Sequence, residues 1–302
     1  MTAALAVPGL LAWRFFDTTV AAATRLSPSY VRLTLTGPDL DRFADNGWDQ
    51  RFKLVLPDAH GSYDDLPRDP DWYPTWRNLP EDRRNPIRTY TVRAVRRARR
   101  EVDVDLVVHG DTGPASRFAA RATAGDRLVV LGPNAEHDDA HGGLEFRPPV
   151  DHDGPTLLVG DATAVPAVLS ILEHLPRTAH GEVVLEVPHL RDVTEVAAPA
   201  GCRVTWVVSG SGGGGLPGAV EDGLRRLGLG EPSTPQGDLR ESSADEVVWE
   251  VPAVASSPGL YSWIAGESSL VTGLRRWLVR DLGVDRDAVA FMGYWRRGST
   301  SD

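Results

Sequence analysis

The feature that most constrains this chain is a change of hydrophobic rhythm near residue 156. Before it, short runs alternate apolar and polar residues with period two, as strands with one buried face do. Val31-Arg32-Leu33-Thr34-Leu35-Thr36 stops at Gly37-Pro38-Asp39, and Phe52-Lys53-Leu54-Val55-Leu56 stops at Pro57-Asp58. After it, an unbroken apolar run, Thr156-Leu157-Leu158-Val159, leads into a stripe at helical spacing: Val168, Leu169, Leu172 and Leu175. At 302 residues the chain is long enough for two packed units. The expected fold is therefore an antiparallel β-barrel domain over residues 1–150 and a parallel-sheet α/β domain over 151–302. Ligands of the second domain would sit at the carboxyl ends of its strands.

Within the β half, Pro86-Ile87-Arg88-Thr89-Tyr90-Thr91-Val92-Arg93 reads as a strand. Alternation turns Arg88 and Tyr90 to one face and Thr89 and Thr91 to the other. A fixed cation beside an aromatic ring suits a ligand that is phosphorylated and flat, such as a flavin nucleotide. A charged turn, Arg96 to Arg100, is expected to join this strand in a hairpin to Val102–Val108. His109-Gly110-Asp111-Thr112-Gly113-Pro114-Ala115-Ser116 follows: Gly113 permits a tight turn and Pro114 suits a first helical position. The free N–H groups of such a helix start make an anion site. Residues 57–86 read as a long irregular excursion with a short helix. Residues 134–155 read as a joining loop, with His137 and His141 in solvent rather than on a metal.

The α/β half opens with Gly160-Asp161-Ala162-Thr163-Ala164-Val165-Pro166 after its first strand. Glu182–Val187 and Arg203–Val208 are two more strands. The glycines of 210–215 read as flexible, and 228–245 as an insert without structure. Tyr261–Ala265 runs through Gly266-Glu267 into a helix with Leu270, Leu274, Trp277 and Leu278 on one stripe, which Gly283 can end. Ala288–Met292 is the last strand, followed by Gly293-Tyr294-Trp295-Arg296.

Net charge is −10, which makes nucleic acid an unfavourable partner. No apolar run approaches the ~18 residues of a membrane span, and no secretion signal is visible, so a cytoplasmic monomer without membrane insertion is expected. One cysteine, Cys202, excludes an internal disulfide and a cysteine-held iron–sulfur cluster within the chain. Of 32 basic residues, all are Arg except Lys53, the one retained ammonium.

Arg88-Thr89-Tyr90-Thr91, His109-Gly110 with Gly113-Pro114-Ala115-Ser116, the Gly160–Pro166 turn, Ala265-Gly266-Glu267 and Gly293-Tyr294-Trp295-Arg296 occur in one order. Together they resemble the siderophore-interacting protein family of flavin-dependent ferric-siderophore reductases, with a ferredoxin-reductase-like layout, over about residues 13–298. The resemblance implies FAD as cofactor and NAD(P)H as electron donor. Arg88 would pair with an FAD phosphate, Tyr90 would pack on the isoalloxazine and Thr91 would approach the ring, with Thr89, His109 and Gly110 in the same seat. Gly113 to Ser116 would hold the pyrophosphate. Gly160, Asp161, Thr163 and Ala164 would receive the NAD(P)H pyrophosphate, and Gly266 and Glu267 would lie near the nicotinamide. Lys53 and Arg296 would line the ferric siderophore pocket. No protein acid or base is implied, because the flavin carries the chemistry.

This sequence departs from the family where Gly132-Pro133 is followed by Asn134-Ala135-Glu136 rather than a basic residue and Gly, and at Phe118, where Trp is common. Another flavin reductase of this layout with a different acceptor, or a non-catalytic siderophore-binding protein, shares most of these features. NADH and NADPH, and hydroxamate and catecholate siderophores, all remain open at this level.

Overall fold

The computed structural model describes residues 10–108, 113–210, 212, 214–229, 249–252 and 259–298. The first half contains β1 (Trp13–Arg25), β2 (Tyr30–Thr36), β3 (Arg51–Val55), α1 (Trp72–Arg77), β4 (Ile87–Thr91), β5 (Ala94–Arg96), β6 (Glu101–Val107), α2 (Pro114–Arg121) and β7 (Arg127–Pro133). Its strands form one antiparallel sheet in the order β4-β3-β7-β1-β2-β6-β5. β4 and β5 are opposite edges of that sheet, yet only Val92 and Arg93 separate them in the chain. The sheet must curl until its edges meet. Val92 N–H donates to Gln50 O at 2.8 Å on the β3 side, and Arg93 N–H to Asp103 O at 2.9 Å on the β6 side.

This corrects the expected hairpin. β6 pairs with β5 and β2, while β4 pairs with β3. The charged turn does reverse the chain, but what it joins is the short β5. Inside the curl lie Phe16, Leu33, Leu35, Phe43, Phe52, Leu54, Val104 and Val130, closed at one end by Ala115 and Ala119 of α2. Gly132 is needed for that packing, since a Cβ there would come within 2.3 Å of the Phe43 ring.

The joining segment is a loop, exposed at residues 138–140, Gly142 and Arg147, that is pinned to the barrel at several points. His141 Nε2 lies 2.8 Å from Asn134 O, Trp13 Nε1 donates to His141 O at 2.6 Å, and His137 Nδ1 lies 2.7 Å from Leu10 O. Glu145 and Phe146 are buried, and their N–H groups donate to the Asp49 carboxylate at 3.1–3.2 Å. Backbone polar groups that leave water need such partners, and the barrel supplies them.

The second half contains β8 (Thr156–Gly160), α3 (Val165–His174), β9 (His180–Val187), β10 (Gly201–Val208), α4 (Gly215–Arg226), β11 (Trp249–Glu250), β12 (Tyr261–Glu267), α5 (Ser268–Arg275) and β13 (Val289–Trp295). The sheet order is β10-β9-β8-β12-β13-β11, parallel except for the edge strand β11. Leu158, Val183 and Leu185 pack on α3, while Leu157, Val159 and Val184 pack on α4 and α5. Both faces being covered explains why these strands read as unbroken apolar runs. α5 continues as a π-helical turn over Arg276–Asp281, and Gly283 follows at φ +67°.

α4 takes in the end of the glycine run: Gly214 caps a helix that begins at Gly215, and Leu216, Val220 and Leu224 bury its inner face. Ser211, Gly213 and most of the expected 228–245 insert lie outside the described residues.

The halves meet through built contacts. Tyr30 Oη donates to Ala162 O at 2.8 Å, and Trp263 Nε1 to Asp49 Oδ2 at 3.1 Å. Asp192 accepts from Ser27 Oγ at 2.6 Å, Ser29 Oγ at 2.7 Å and Ser29 N–H at 2.9 Å. Burial alone would raise the Asp192 carboxyl, but the bonds from Ser27, Ser29 and His189 outweigh it and hold it below its ordinary value.

Candidate functional site

β4 separates two chemically different surfaces. In its register with β3, Tyr90 is opposite Phe52, Thr89 opposite Lys53 and Arg88 opposite Leu54. Opposite residues of an antiparallel pair share a face. Phe52 and Leu54 belong to the barrel core, so Arg88 and Tyr90 turn to the side where α2 closes the barrel, and Tyr90 packs on the cluster containing Ala115 and Ala119. Burial pushes the Tyr90 phenol up to about 12, with the Arg88 charge opposing. Thr89 and Lys53 share the other face, where Lys53 Nζ donates to Thr89 Oγ1 at 2.8 Å.

α2 starts without a side-chain cap: Gly113 occupies the N-cap and Pro114 the first turn. Gly113 is not in a turn that demands glycine, because its φ of −164° is ordinary extended backbone and a Cβ there would meet nothing within 4 Å. This corrects the tight turn expected at that position. The N–H groups after Gly113, uncapped among the described residues, suit an anion. His109 and Gly110 lie outside the described residues.

A cavity of about 630 Å³ lies on the Lys53 face, with Trp13, Phe15, Trp72, Arg51, Lys53 and Arg68 among its lining. Arg68 and Trp72 come from the excursion before β4, which thereby becomes a wall of the cavity. Arg68 is held by a bidentate pair with Asp17 at 2.7 and 2.8 Å, and Arg51 pairs with Glu145. Lys53 has no carboxylate partner among the described residues. Burial first, and the Arg51 charge second, lower its pKa.

A second cavity, about 790 Å³, opens at the carboxyl ends of the parallel strands, lined by Asp161, Glu186, Glu267, Trp277, Trp295 and Arg297 among others. Asp161 knots its floor. Oδ1 accepts from Thr163 N–H at 2.8 Å and Thr163 Oγ1 at 2.6 Å, while Oδ2 accepts from Glu267 N–H at 2.8 Å and Trp295 Nε1 at 2.7 Å. Gly266 is required beside it: its φ is +148°, and a Cβ would come within 2.7 Å of the Asp161 carboxylate. Glu267 caps α5, accepting from Ser269 N–H at 2.8 Å and Leu270 N–H at 3.2 Å, so that helix start already holds an anion. Burial, with Asp161 nearby, raises the Glu186 carboxyl.

Between the cavities, the Arg51 guanidinium lies 4.6 Å from the Trp249 ring, and Trp249 stacks on Tyr294 at 6.0 Å and 21°. Tyr294 Oη and Arg51 Nε are buried without a hydrogen-bond partner among the described residues. Arg51 is in register with Thr91, so these orphaned groups sit beside the end of β4.

The structure thus places Arg88, Tyr90 and the start of α2 on one side of β4, and Lys53 with Thr89 on the other. Asp161, Thr163 and Glu267 line the second cavity, whereas Gly160, Ala164 and Gly266 lie beside them in the chain without lining it. Arg296 is exposed and lines neither cavity, whereas its neighbour Arg297 lines the second. Sequence reasoning did not find Arg51, Trp249 or Trp72, whose importance comes from contacts between distant segments.

The chain matches the siderophore-interacting FAD-binding domain over residues 19–137 and the siderophore-interacting protein domain over residues 155–298. It belongs to the siderophore-interacting protein family. An uncharacterised protein of Mycobacterium tuberculosis, Rv2895c, is 34% identical over 287 residues, covering 94% of this chain and 90% of its own. The ferric vibriobactin reductase ViuB of Vibrio cholerae is 28% identical over 277 residues, covering 92% of this chain and 88% of its own. The crystal structure of the siderophore-interacting protein SipS from Aeromonas hydrophila superimposes with a TM-score of 0.65 at 30% identity, covering 95% of this chain and 93% of that one. A ferredoxin reductase from a carbazole 1,9a-dioxygenase system shares the fold at a TM-score of 0.58 and 13% identity, over 94% of this chain and 68% of its own.

The fold is therefore ferredoxin-reductase-like, and the family is an FAD-binding one. The residues present fit FAD: a helix start uncapped among the described residues for a pyrophosphate, a cation and a half-buried aromatic on β4, and orphaned polar groups at the seam beside Thr91. Among the described residues no helix is long and apolar enough to cross a membrane, and no His, Cys, Asp and Glu group is placed to hold a metal ion.

Proposed function

We propose that this siderophore-interacting protein is a cytoplasmic NAD(P)H-dependent reductase that uses FAD to reduce Fe(III) in a ferric siderophore. The observation that carries this reading is the two-faced β4: flavin-type residues on one side, a cationic aromatic cavity on the other, one strand apart. FAD, when bound, would accept the electron pair of a hydride and pass electrons singly to iron. One NAD(P)H would then reduce two ferric ions and release one proton.

The chain's residues orient and attract. The Arg88 guanidinium and the N–H groups after Gly113, those of Ala115 and Ser116, would hold the FAD phosphates, while Thr89, on the opposite face of β4 with Lys53, would belong to the siderophore cavity instead. Tyr90 would flank the ring, and Thr91, Arg51 Nε and Tyr294 Oη would meet its polar edge. The barrel domain, to about residue 150, would thus serve FAD, and the α/β domain the nicotinamide nucleotide.

In the second cavity the turn from Gly160 to Ala164 and the Gly266-Glu267 bend would receive that nucleotide. Glu267 already fills the α5 start, so Arg297 would be the cation for its phosphates. Glu186 projects into the cavity and Arg191 does not line it, which favours a free ribose hydroxyl over a 2′-phosphate and hence NADH. Lys53 would draw the ferric chelate to the other cavity against the overall negative charge. Arg296, outside both cavities, would meet a siderophore only where it projects from the mouth.

Purified protein should be yellow, and NADH should bleach it under anaerobic conditions. Colourless protein that cannot be reconstituted with FAD removes this reading.

A further inference from the structure

A third cavity, of about 470 Å³, lies on the outside of the barrel, apart from the other two. We infer that it is an anion site for a diphosphate group, a reading that stands apart from the reductase proposal.

Strand register builds its floor. Arg127 of β7 is opposite Thr19 of β1, and Thr19 is opposite Thr36 of β2. Paired residues of an antiparallel sheet share a face, so these three side chains stand in one row. Their chain neighbours Val20, Leu35 and Leu128 fill the barrel core, which turns the row outward. Glu101 is opposite Thr36, and the turn that precedes it, between β5 and β6, delivers Arg99 and Arg100 to the same cavity. Three guanidinium groups and the hydroxyls of Thr19 and Thr36 thus line one recess of a chain whose net charge is −10.

Little within the protein answers those cations. Arg99 has no hydrogen bond or ion pair among the described residues. Arg100 reaches Asp41 only at 3.7 Å, between two exposed side chains. Arg127 lies 5.7 Å from the Tyr63 ring and has no carboxylate partner among the described residues. The one carboxylate in the described lining, Asp17, is taken by Arg68 in its bidentate pair. Arg100 also holds φ +55° and ψ +49°, the left-handed region that glycine or asparagine enters at least cost. A long cation kept in such a conformation suits a place where a ligand offsets the strain.

Donor number and spacing select the anion. Each guanidinium offers a planar fork of N–H donors, and three forks with two hydroxyls exceed what the oxygens of a single carboxylate accept. β7 and β2 are two strand spacings apart, about 10 Å, a span that a diphosphate bridges better than one phosphate. No aromatic side chain is in the described lining, so nothing there selects a base and the recognition is of the phosphates.

Inorganic pyrophosphate would be titrated calorimetrically into the full chain, with saturating FAD present so that the start of α2 is filled. Arg99→Ala and Arg127→Ala should each weaken binding at least about tenfold with circular dichroism unchanged, and Arg127→Lys should recover only part of the loss. Asp17→Asn should tighten binding several-fold, which damage to the fold would not do. Inorganic phosphate should bind about tenfold more weakly, and added salt should weaken both. Flotation with vesicles carrying a polyprenyl diphosphate separates the sources: recruitment lost in Arg99→Ala assigns the diphosphate to a lipid headgroup, and pyrophosphate binding without recruitment assigns it to a soluble ligand. No binding of pyrophosphate, or binding that Arg99→Ala and Arg127→Ala both leave unchanged, overturns the inference.

Discussion

Tyr294→Phe offers a prediction whose sign differs between two states of the protein. The Tyr294 hydroxyl is buried at the seam with no partner among the described residues, and burial holds its pKa well above the ordinary phenol value. An unpaired buried hydroxyl costs about 1–3 kcal/mol. Phenylalanine removes that cost and keeps the ring stacked on Trp249. The FAD-free variant should therefore be more stable than wild type by about 1 kcal/mol, a rise of roughly 2 °C in Tm for a chain of this length. With FAD bound the order reverses: one hydrogen bond to the ring is lost and the bound variant is less stable by about 1 kcal/mol, so binding is weakened by about 2 kcal/mol in all and the FAD Kd rises roughly thirtyfold. Differential scanning fluorimetry of FAD-free protein and fluorescence titration with FAD read the two effects separately. A less stable FAD-free variant would mean the hydroxyl has a partner. An unchanged Kd would mean the flavin does not reach it. Either result refutes the reasoning.

Three further predictions concern the same surfaces. Gly113→Ala should leave the Tm of FAD-free protein within about 1 °C, because its Cβ enters open space, yet weaken FAD at least tenfold by crowding the pyrophosphate; equal FAD affinity would show that no ligand approaches that backbone. Glu186→Gln should raise the NADPH/NADH ratio of kcat/KM by about tenfold, since a carboxylate near a 2′-phosphate repels it by a few kcal/mol before screening; an unchanged ratio places the ribose elsewhere. Asp192→Ala should cost about 2–4 kcal/mol in urea unfolding, because it orphans Ser29 N–H and two serine hydroxyls at the seam between the halves. Its pH signature follows from a folded pKa below the unfolded value of about 3.9. The ionised form stabilises the fold above the unfolded pKa, and that stability is lost as pH falls through the lower folded value. The variant should show a flatter acid limb, and an identical limb would contradict this assignment.

Much of this was legible in residue order. Period-two alternation in Arg88-Thr89-Tyr90-Thr91 fixed which side chains share a face, because a strand has only two. The unbroken apolar runs after 156 announced a sheet covered on both sides. The partner of β4 was not legible, since the chain passes between sheet edges within Val92-Arg93, and only closure of the whole curl shows why. The helix after Gly214 was hidden by the glycines before it, although Leu216, Val220 and Leu224 carry its spacing. Arg51, Trp249 and Tyr294 come from three separate segments. Local pattern gives no sign that a guanidinium, an indole and a phenol will stack together. Trp72 likewise lies in a segment without a sequence period, and only its contact with Phe15 puts it on a cavity wall.

The most direct test of the central claim is the ratio of iron reduced to nucleotide consumed. FAD-loaded protein, NADH and a ferric tris-catecholate would be mixed anaerobically, with Fe(II) trapped by ferrozine and NADH followed by its absorbance. Two Fe(II) per NADH, dependent on bound FAD and slowed by Lys53→Met, is the expected result. NADH oxidised without Fe(II), or Fe(II) formed equally well without FAD, would contradict the account.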